Sequence, residues 1–193
     1  MKSIHRDEVL DPATYERARD FLLEKVIAEK RKRRLLVANE VSVLFENRVT
    51  VLSQIHEMLR AERITSEEGI RHEIETYNEL IPSEHELSAT MFIEIADKAE
   101  REKRLVELAG LERHLGLWMD GTMVRARFDA RSLLPDRTTA VHYLKLPLGP
   151  QLAERFRQAR EEVEIAWVID HPRLSVRTAF PPHLVRALAE DLA

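Results

Sequence analysis

Four side chains between Leu44 and Glu94 could form a small-molecule site: Arg48, Glu57, Tyr77 and Glu94. An arginine carries a planar fork of donors that matches a carboxylate or another anion. Two carboxylates and a phenol beside it would supply acceptors and a further donor. This set predicts an anion or carboxylate pocket around Arg48, which would suit a small-molecule enzyme or sensor.

The helical phase of Arg48 supports a second interpretation. This arginine precedes Val51 and Leu52 by one turn, so we expect its side chain on their inward-facing side. A buried arginine without a partner would be very costly, and a carboxylate should therefore lie beside it. The candidate partners are Glu46, Glu73, Glu86 and Glu94. A structural ion-pair network between a helix and a sheet is the more common origin of such a pattern, and we favour it over a pocket.

No motif of a known catalytic, metal or cofactor site is present in the sequence. The chain has no cysteine, which excludes disulfides, thiolate nucleophiles and cysteine-held iron–sulfur clusters. His56 and Glu57 are adjacent, as are His72 and Glu73, and adjacent helical residues diverge by about 100° instead of converging on one ion. We therefore expect no metal and no cofactor, and we lean away from an enzyme.

The charge balance argues against nucleic acid as a partner. The formal net charge is -4, so no general attraction to a phosphate backbone is expected. The basic run from Lys30 to Arg34 could contact phosphate, but cations at a helix C-terminus also complement the helix dipole, and we favour that role. No apolar run reaches the roughly 18 residues of a membrane span, and no secretory signal is evident. We expect a cytoplasmic protein that binds neither membranes nor nucleic acid.

The N-terminal half is predicted to be rich in helices. Asp11-Pro12 is typical of a helix start, and Asn47 is expected to cap a second helix. Thr65 to Glu68 matches a capping box, with Thr65 as the cap of a third helix that stops at Pro82. Strict alternation of apolar and polar residues near 87–95 predicts a strand with one face on the core.

The C-terminal half is predicted to be mainly strands. Asp120-Gly121, between two alternating stretches, is a strong signal of a two-residue hairpin turn. Val163 to Ile169 and Leu174 to Phe180 are expected to form a second hairpin, and Val141 to Leu148 a further strand. The sequence thus predicts an α+β fold, with N-terminal helices packed on a mainly antiparallel sheet.

The domain organisation follows from the same patterns. Few glycines and no low-complexity segment indicate that residues 1–193 form one compact domain. Within it, residues 1–112 could form a helix-rich subdomain with one strand, and residues 113–193 a mostly antiparallel sheet with helices.

Several long motifs resemble a known family. LFENR, QIHEMLRAERI, EIETYNELIP and ELSATMFIEI, with RTTAVHYLKLPL further on, resemble the bacterial domain-of-unknown-function family numbered 3501. The resemblance runs from about Leu35 to the C-terminus and carries no catalytic residues across. Genes of that family tend to lie beside those of rubrerythrin-like and iron–sulfur proteins, which implies a role near peroxide or redox metabolism. Without cysteine, such a role would be that of a partner or regulator.

We therefore predict a non-enzymatic binding or accessory protein that acts on a protein partner or as a homodimer. The alternative is the small-molecule enzyme or sensor with its cleft at Arg48, Glu57, Tyr77 and Glu94. Nucleic-acid binding through Lys30 to Arg34 is a third hypothesis.

Overall fold

A computed structural model describes residues 1–128, 133–159 and 163–192. Its helices are α1 (Pro12–Arg33), α2 (Arg48–Ala61), α3 (Glu67–Asn78), α4 (Lys98–Glu107), α5 (Gly149–Arg157) and α6 (Pro182–Asp191). Helix α1 begins as the sequence predicts, because the Asp11 carboxylate accepts hydrogen bonds from the amides of Ala13 and Thr14, both at 3.0 Å. Proline at the first helical position costs no hydrogen bond there.

Two antiparallel sheets make up the rest of the fold. The strands are β1 (Arg34–Ala38), β2 (Val41–Glu46), β3 (Glu86–Ile93), β4 (Leu115–Met119), β5 (Thr122–Arg125), β6 (Arg127–Phe128), β7 (Val141–Pro147), β8 (Ile165–His171) and β9 (Leu174–Ala179). Sheet A has the order β1-β2-β3-β7-β6 and sheet B the order β5-β4-β8-β9. The α+β fold is therefore confirmed, as are both predicted hairpins, β4–β5 and β8–β9.

The main hydrophobic core receives side chains from both sheets. Phe45 of β2 meets the ring of Trp167 of β8 edge-on, with 6.1 Å between ring centroids, and lies 5.3 Å from the ring of Phe180. All three side chains are buried. Within sheet B, Gly116 allows close approach of β4 and β5, because a Cβ atom there would lie 2.2 Å from the carbonyl oxygen of Val124.

A helical layer covers part of the other side of sheet A, which we call its outer face. Asn47 caps α2 as predicted, accepting hydrogen bonds from the amides of Val49 and Thr50 at 3.0 Å each. Since this cap directly follows β2, the chain folds back and α2 lies over the outer face. Helices α2 and α3 share a second apolar cluster with the N-terminal segment and the turn after α3: Ile4, Val9, Val51, Ile55, Leu59, Ile70, Ile74 and Ile81.

Two local predictions were wrong. The cap of α3 is Ser66 instead of Thr65, because the Ser66 hydroxyl accepts the amide hydrogen bond of Gly69 at 3.2 Å. Helix α3 ends at Asn78, and the chain turns before reaching Pro82. Phe21 of α1 is 60% exposed, and the ammonium group of Lys25 lies 4.1 Å from its ring centroid.

Sheet A joins the two halves of the chain. Strands β1 to β3 precede residue 112 and strands β6 and β7 follow it, and the register pairs Leu87 of β3 with Leu146 of β7. The division of the chain at residue 112 stays a prediction.

Candidate functional site

Arg48 does not face the core. It is the first residue of α2, and its guanidinium pairs with the Glu8 carboxylate and donates to the carbonyl of Lys2 at 3.2 Å. Its side chain keeps 35% of its surface exposed. The inward orientation and the four expected carboxylate partners were therefore wrong, because the N-terminal segment supplies the partner from 40 residues earlier in the chain.

Glu57 and Glu94 are each committed to an ion pair elsewhere. Glu57 accepts two hydrogen bonds from Arg19 at 2.7 and 2.8 Å, and a third from the Tyr15 hydroxyl at 2.7 Å. The Arg19 guanidinium is the main reason that the pKa of Glu57 falls to about 2. Glu94 accepts from Arg34 at 2.8 Å and from the Ser42 hydroxyl at 2.7 Å. The structure thus separates the residues of the predicted pocket, and only Tyr77 lines a large cavity.

That cavity is a cleft of about 720 Å³ between the helical layer and the β6–β7 edge of sheet A. Its helical wall is formed by the end of α2, by α3 and by the turn after α3; its sheet wall is formed by β6 and β7. The apolar and aromatic lining residues are Met58, Tyr77, Leu80, Phe128, Tyr143 and Leu144. A cavity of this size, with apolar and aromatic side chains and polar groups among them, is typical of small-molecule sites.

Two tyrosines supply polar groups within this lining. Burial is the main cause that raises the pKa of Tyr77 to about 12, and burial also raises the pKa of Tyr143. Both phenols are therefore protonated at neutral pH and can donate a hydrogen bond. Among the described residues, neither hydroxyl has a hydrogen-bond partner. Each is available to a bound molecule.

The charged lining residues divide between the two walls. Glu62, Glu73 and Glu79 lie on the helical wall, while Arg127 and Lys145 lie on the sheet wall, and the charge of Glu79 acts on Lys145. Lys145 is already engaged, because its ammonium donates to the carbonyl of Ile81 at 2.9 Å and lies 3.3 Å from the Glu86 carboxylate. Burial lowers the pKa of Lys145. Within the described chain the guanidinium of Arg127 has no ion-pair or hydrogen-bond partner.

A buried carboxylate lies between α2 and the outer face of sheet A, beside the cleft. Glu46 is the last residue of β2 and is 2% exposed. It accepts hydrogen bonds from the hydroxyls of Thr50 and Thr90, the latter at 2.5 Å, and from the amide of Gln54 at 3.0 Å. No described cation lies within ion-pair distance of it, so these neutral donors must replace its hydration. The negative charge contributes to the raised pKa of Tyr143.

His56 and His142, two of the buried histidines, have structural partners. His56 stacks on Tyr15 at 4.6 Å between ring centroids, and its Nε2 accepts the amide hydrogen bond of Leu10 at 3.0 Å. His142 is buried, with Nε2 at 3.0 Å from the Thr138 hydroxyl and Nδ1 at 3.8 Å from the Glu112 carboxylate. Burial lowers the pKa of both imidazoles. In the described part of the chain, no group of three or more histidine, aspartate or glutamate side chains could hold a metal ion.

The basic run at the end of α1 is largely neutralised within the molecule. Arg33 is buried and pairs with Glu29 and Asp191, while Lys32 lies 3.6 Å from Glu29. Arg34, the first residue of β1, pairs with Glu94. Helix α1 ends inside this run, as the helix-dipole interpretation expects.

Sequence reasoning missed three residues of the sheet wall. The alternation in β7 places Tyr143 and Lys145 on one face, and this signal could have identified them. Arg127 carries no such signal, because β6 contains two residues and its position depends on pairing with Lys145.

The fold and the cleft define a class: an α+β protein in which a helical layer and an antiparallel sheet enclose an open, mainly apolar cleft. The profile of a family described as "Protein of unknown function (DUF3501)" matches residues 3–192, and the chain belongs to this family. A crystal structure of a novel protein of unknown function from Burkholderia pseudomallei is 31% identical, covers 100% of both chains and superposes with a TM-score of 0.91. No curated protein matches the chain.

The comparisons assign no activity to the cleft. Among the described residues no helix is both long enough and apolar enough to cross a membrane.

Proposed function

We propose that this chain is a non-enzymatic binding protein that holds a small, largely apolar molecule in the cleft between α2–α3 and β6–β7. The observation that carries the proposal is the cleft itself, about 720 Å³ with an apolar and aromatic lining. Ligand sites of roughly 300–1,000 Å³ with such linings are the usual places for small molecules in proteins. The proposed site differs from the pocket that the sequence predicts at Arg48, and of the four predicted residues it retains Tyr77.

The state of the polar groups in the cleft favours binding over catalysis. Tyr77 and Tyr143 have raised pKa values and are not activated as bases. Lys145 is the one lining group with a lowered pKa, but its ammonium is held by Ile81 and Glu86 and points its donors at them. No described lining group thus pairs a nucleophile with a base. A link to redox or peroxide metabolism stays a prediction.

A neutral aromatic probe tests the proposal. Indole titrated into the full chain should give saturable, one-site shifts in the amide spectrum that centre on Tyr77, Leu80 and Tyr143. The variant Leu80→Trp should abolish them, because the added ring fills the cleft from a half-buried position. The control Val106→Trp adds the same ring at a position of α4 that is 55% exposed, and should bind indole normally. Shifts spread over the whole surface, or retained in Leu80→Trp, would refute the proposal.

A second candidate is self-association through the uncovered part of the outer face of sheet A. The strand register places Leu36, Ser42, Phe92 and Val141 in one row across four strands. Leu36, on the edge strand β1, is 66% exposed, and Val141, the first residue of β7, is 41% exposed, so this row carries apolar surface in contact with solvent. This row favours the predicted homodimer over a membrane or nucleic-acid contact.

The homodimer has its own test, independent of the cleft. Sedimentation equilibrium should show a dimer for the natural sequence and a monomer for the double variant Leu36→Lys/Val141→Lys. A natural chain that sediments as a monomer at high protein concentration would eliminate this candidate and leave the cleft proposal intact.

A further inference from the structure

The helical wall of the cleft carries two carboxylates without a cation. Glu62 extends beyond the last residue of α2, and Glu73 is half-buried in the middle of α3. Neither forms an ion pair or a hydrogen bond within the described residues. On the same helices, Glu67 pairs with Arg6 and Glu57 with Arg19.

Tyr77 lies close to both of these carboxylates. Burial is the largest cause of its raised pKa, and the charges of Tyr143, Glu73 and Glu62 add to it in that order. Glu73 and Tyr77 are four residues apart on α3 and so lie on one side of the helix, and Glu62 lines the same cleft. The helical wall therefore presents an aromatic ring flanked by two negative charges at the border of an apolar cavity.

The sheet wall has the opposite polarity. Arg127 is exposed at the mouth of the cleft and has no described partner, whereas Lys145, its neighbour across the strands, is held by Glu86 and Ile81. The free charges of the cleft are thus negative on the helices and positive on the sheet. A ligand of one charge would be attracted by one wall and repelled by the other.

We propose that the cleft selects a zwitterionic ligand: an apolar or aromatic body with an ammonium group held by Tyr77, Glu62 and Glu73, and an acid group held by Arg127. The inference rests on the proposed function and names the class of molecule for the same cleft. An ammonium on an aromatic face beside carboxylates gains both cation–π attraction and ion pairing. A guanidinium offers a carboxylate two parallel hydrogen bonds.

Four probes of similar size separate the contributions of body and charge. Phenethyl alcohol is neutral, phenethylammonium carries the cation, phenylpropionate carries the anion, and para-(aminomethyl)phenylacetate carries both at opposite ends of one ring. Calorimetric titration of the full chain should rank the zwitterion first, roughly tenfold or more above the alcohol, since each charged contact of this kind is worth about 0.5–1 kcal/mol.

Charge-neutral variants test the carboxylate and the guanidinium separately. Glu73→Gln should weaken phenethylammonium and the zwitterion roughly threefold to fivefold and leave phenylpropionate unchanged or tighter. Arg127→Gln should do the reverse, weakening phenylpropionate and the zwitterion. Glu75→Gln on the same helix and Arg125→Gln, which lies in β5 beside Asp170, make the same changes outside the cleft and should alter no probe.

Two outcomes overturn the inference and are distinguishable from failure of the proposed function. If all four probes bind equally well, the cleft binds apolar molecules without charge selection, and only the zwitterion is refuted. If Glu73→Gln or Arg127→Gln weakens the binding of all four probes equally, the substituted residue has a structural role and does not select the charge of the ligand. Failure of every probe, the alcohol included, refutes the proposed function itself.

Discussion

Arg33 is the residue whose removal should cost this fold the most among its charged side chains. It is 3% exposed at the C-terminal end of α1. Its guanidinium contacts Glu29 at 2.5 Å and the Asp191 carboxylate through two nitrogens, one of them at 3.0 Å. It thereby joins α1 to α6. We expect Arg33→Met to keep most of the apolar contacts of the stem while it removes the charge.

The magnitude follows from what the substitution leaves behind. The Asp191 side chain would remain only 7% exposed, and no cation would compensate for the burial of its negative charge. Removing one partner of a buried ion pair typically costs about 3–5 kcal/mol. Glu29 adds less, because its side chain is 20% exposed and it retains the hydrogen bond from Asn47 at 2.9 Å. Arg33→Met should therefore lower the free energy of unfolding by about 3–5 kcal/mol at neutral pH.

The pH dependence of this loss has a definite sign. Burial already raises the pKa of Asp191 in the natural protein, in spite of Arg33, and removal of the guanidinium would raise it further. A carboxyl whose pKa is higher in the folded state takes up its proton first in that state, so acid favours folding at this site. The difference in stability between Arg33→Met and the natural chain should thus shrink as the pH falls from neutral toward the ordinary aspartate value of about 3.9.

Urea unfolding followed by circular dichroism measures these differences. The control is Arg34→Met, one residue later, because Arg34 is 44% exposed in its pair with Glu94 and should lose no more than about 1 kcal/mol. The double variant Arg33→Met/Asp191→Leu should recover most of the loss, since an apolar pair can replace a buried ion pair. A loss for Arg33→Met equal to that of Arg34→Met, or one independent of pH, would refute the reasoning.

Three further predictions concern other buried groups. Because burial holds the pKa of His142 below its ordinary value of about 6.5, stability should fall as the pH drops through that value, and His142→Gln should flatten this part of the profile measured by urea unfolding. Gly116→Ala should lower the melting temperature more than Gly121→Ala, because the new Cβ meets the Val124 carbonyl oxygen at 2.2 Å, whereas at Gly121 it meets no atom and only the positive φ of +79° costs stability. Glu46→Leu should cost roughly 1–3 kcal/mol by leaving hydroxyl and amide donors unpaired, and a stabilised variant in urea would contradict this.

Local chemistry was sufficient to predict most of the elements. Asp120-Gly121 specifies its hairpin because both residues adopt the positive φ that this turn requires, at +48° and +79°. Asp11 and Asn47 identify the starts of α1 and α2, because a cap acts within three residues of itself. The error at Ser66 is of the same scale: two adjacent hydroxyl residues compete for one cap, and the sequence pattern cannot distinguish them.

The positions of charges across the fold could not be predicted in this way. Helical phase places Arg48 beside Val51, but its partner Glu8 lies in a segment whose path depends on the whole helical layer. The run from Lys30 to Arg34 contains one buried and several solvated cations, and only the packing of α6 against α1 distinguishes Arg33 from its neighbours. Contacts between residues that are distant in the sequence determine which charged side chains are buried and which partners they have.

The cleft itself is a consequence of one such long-range arrangement. Glu46 accepts hydrogen bonds from Thr90 of β3 and from Gln54 of α2. It thereby links the two elements and fixes the helix over the outer face of sheet A. Met58 and Glu62 follow Gln54 at intervals of four residues, on the same side of α2, and both line the cleft. A buried carboxylate satisfied by neutral donors tolerates little displacement, because any lost hydrogen bond leaves a charge without solvation. The spacing of the two walls is therefore set by a residue that lies between α2 and sheet A beside the cleft, and a ligand meets a cleft whose width is determined before it binds.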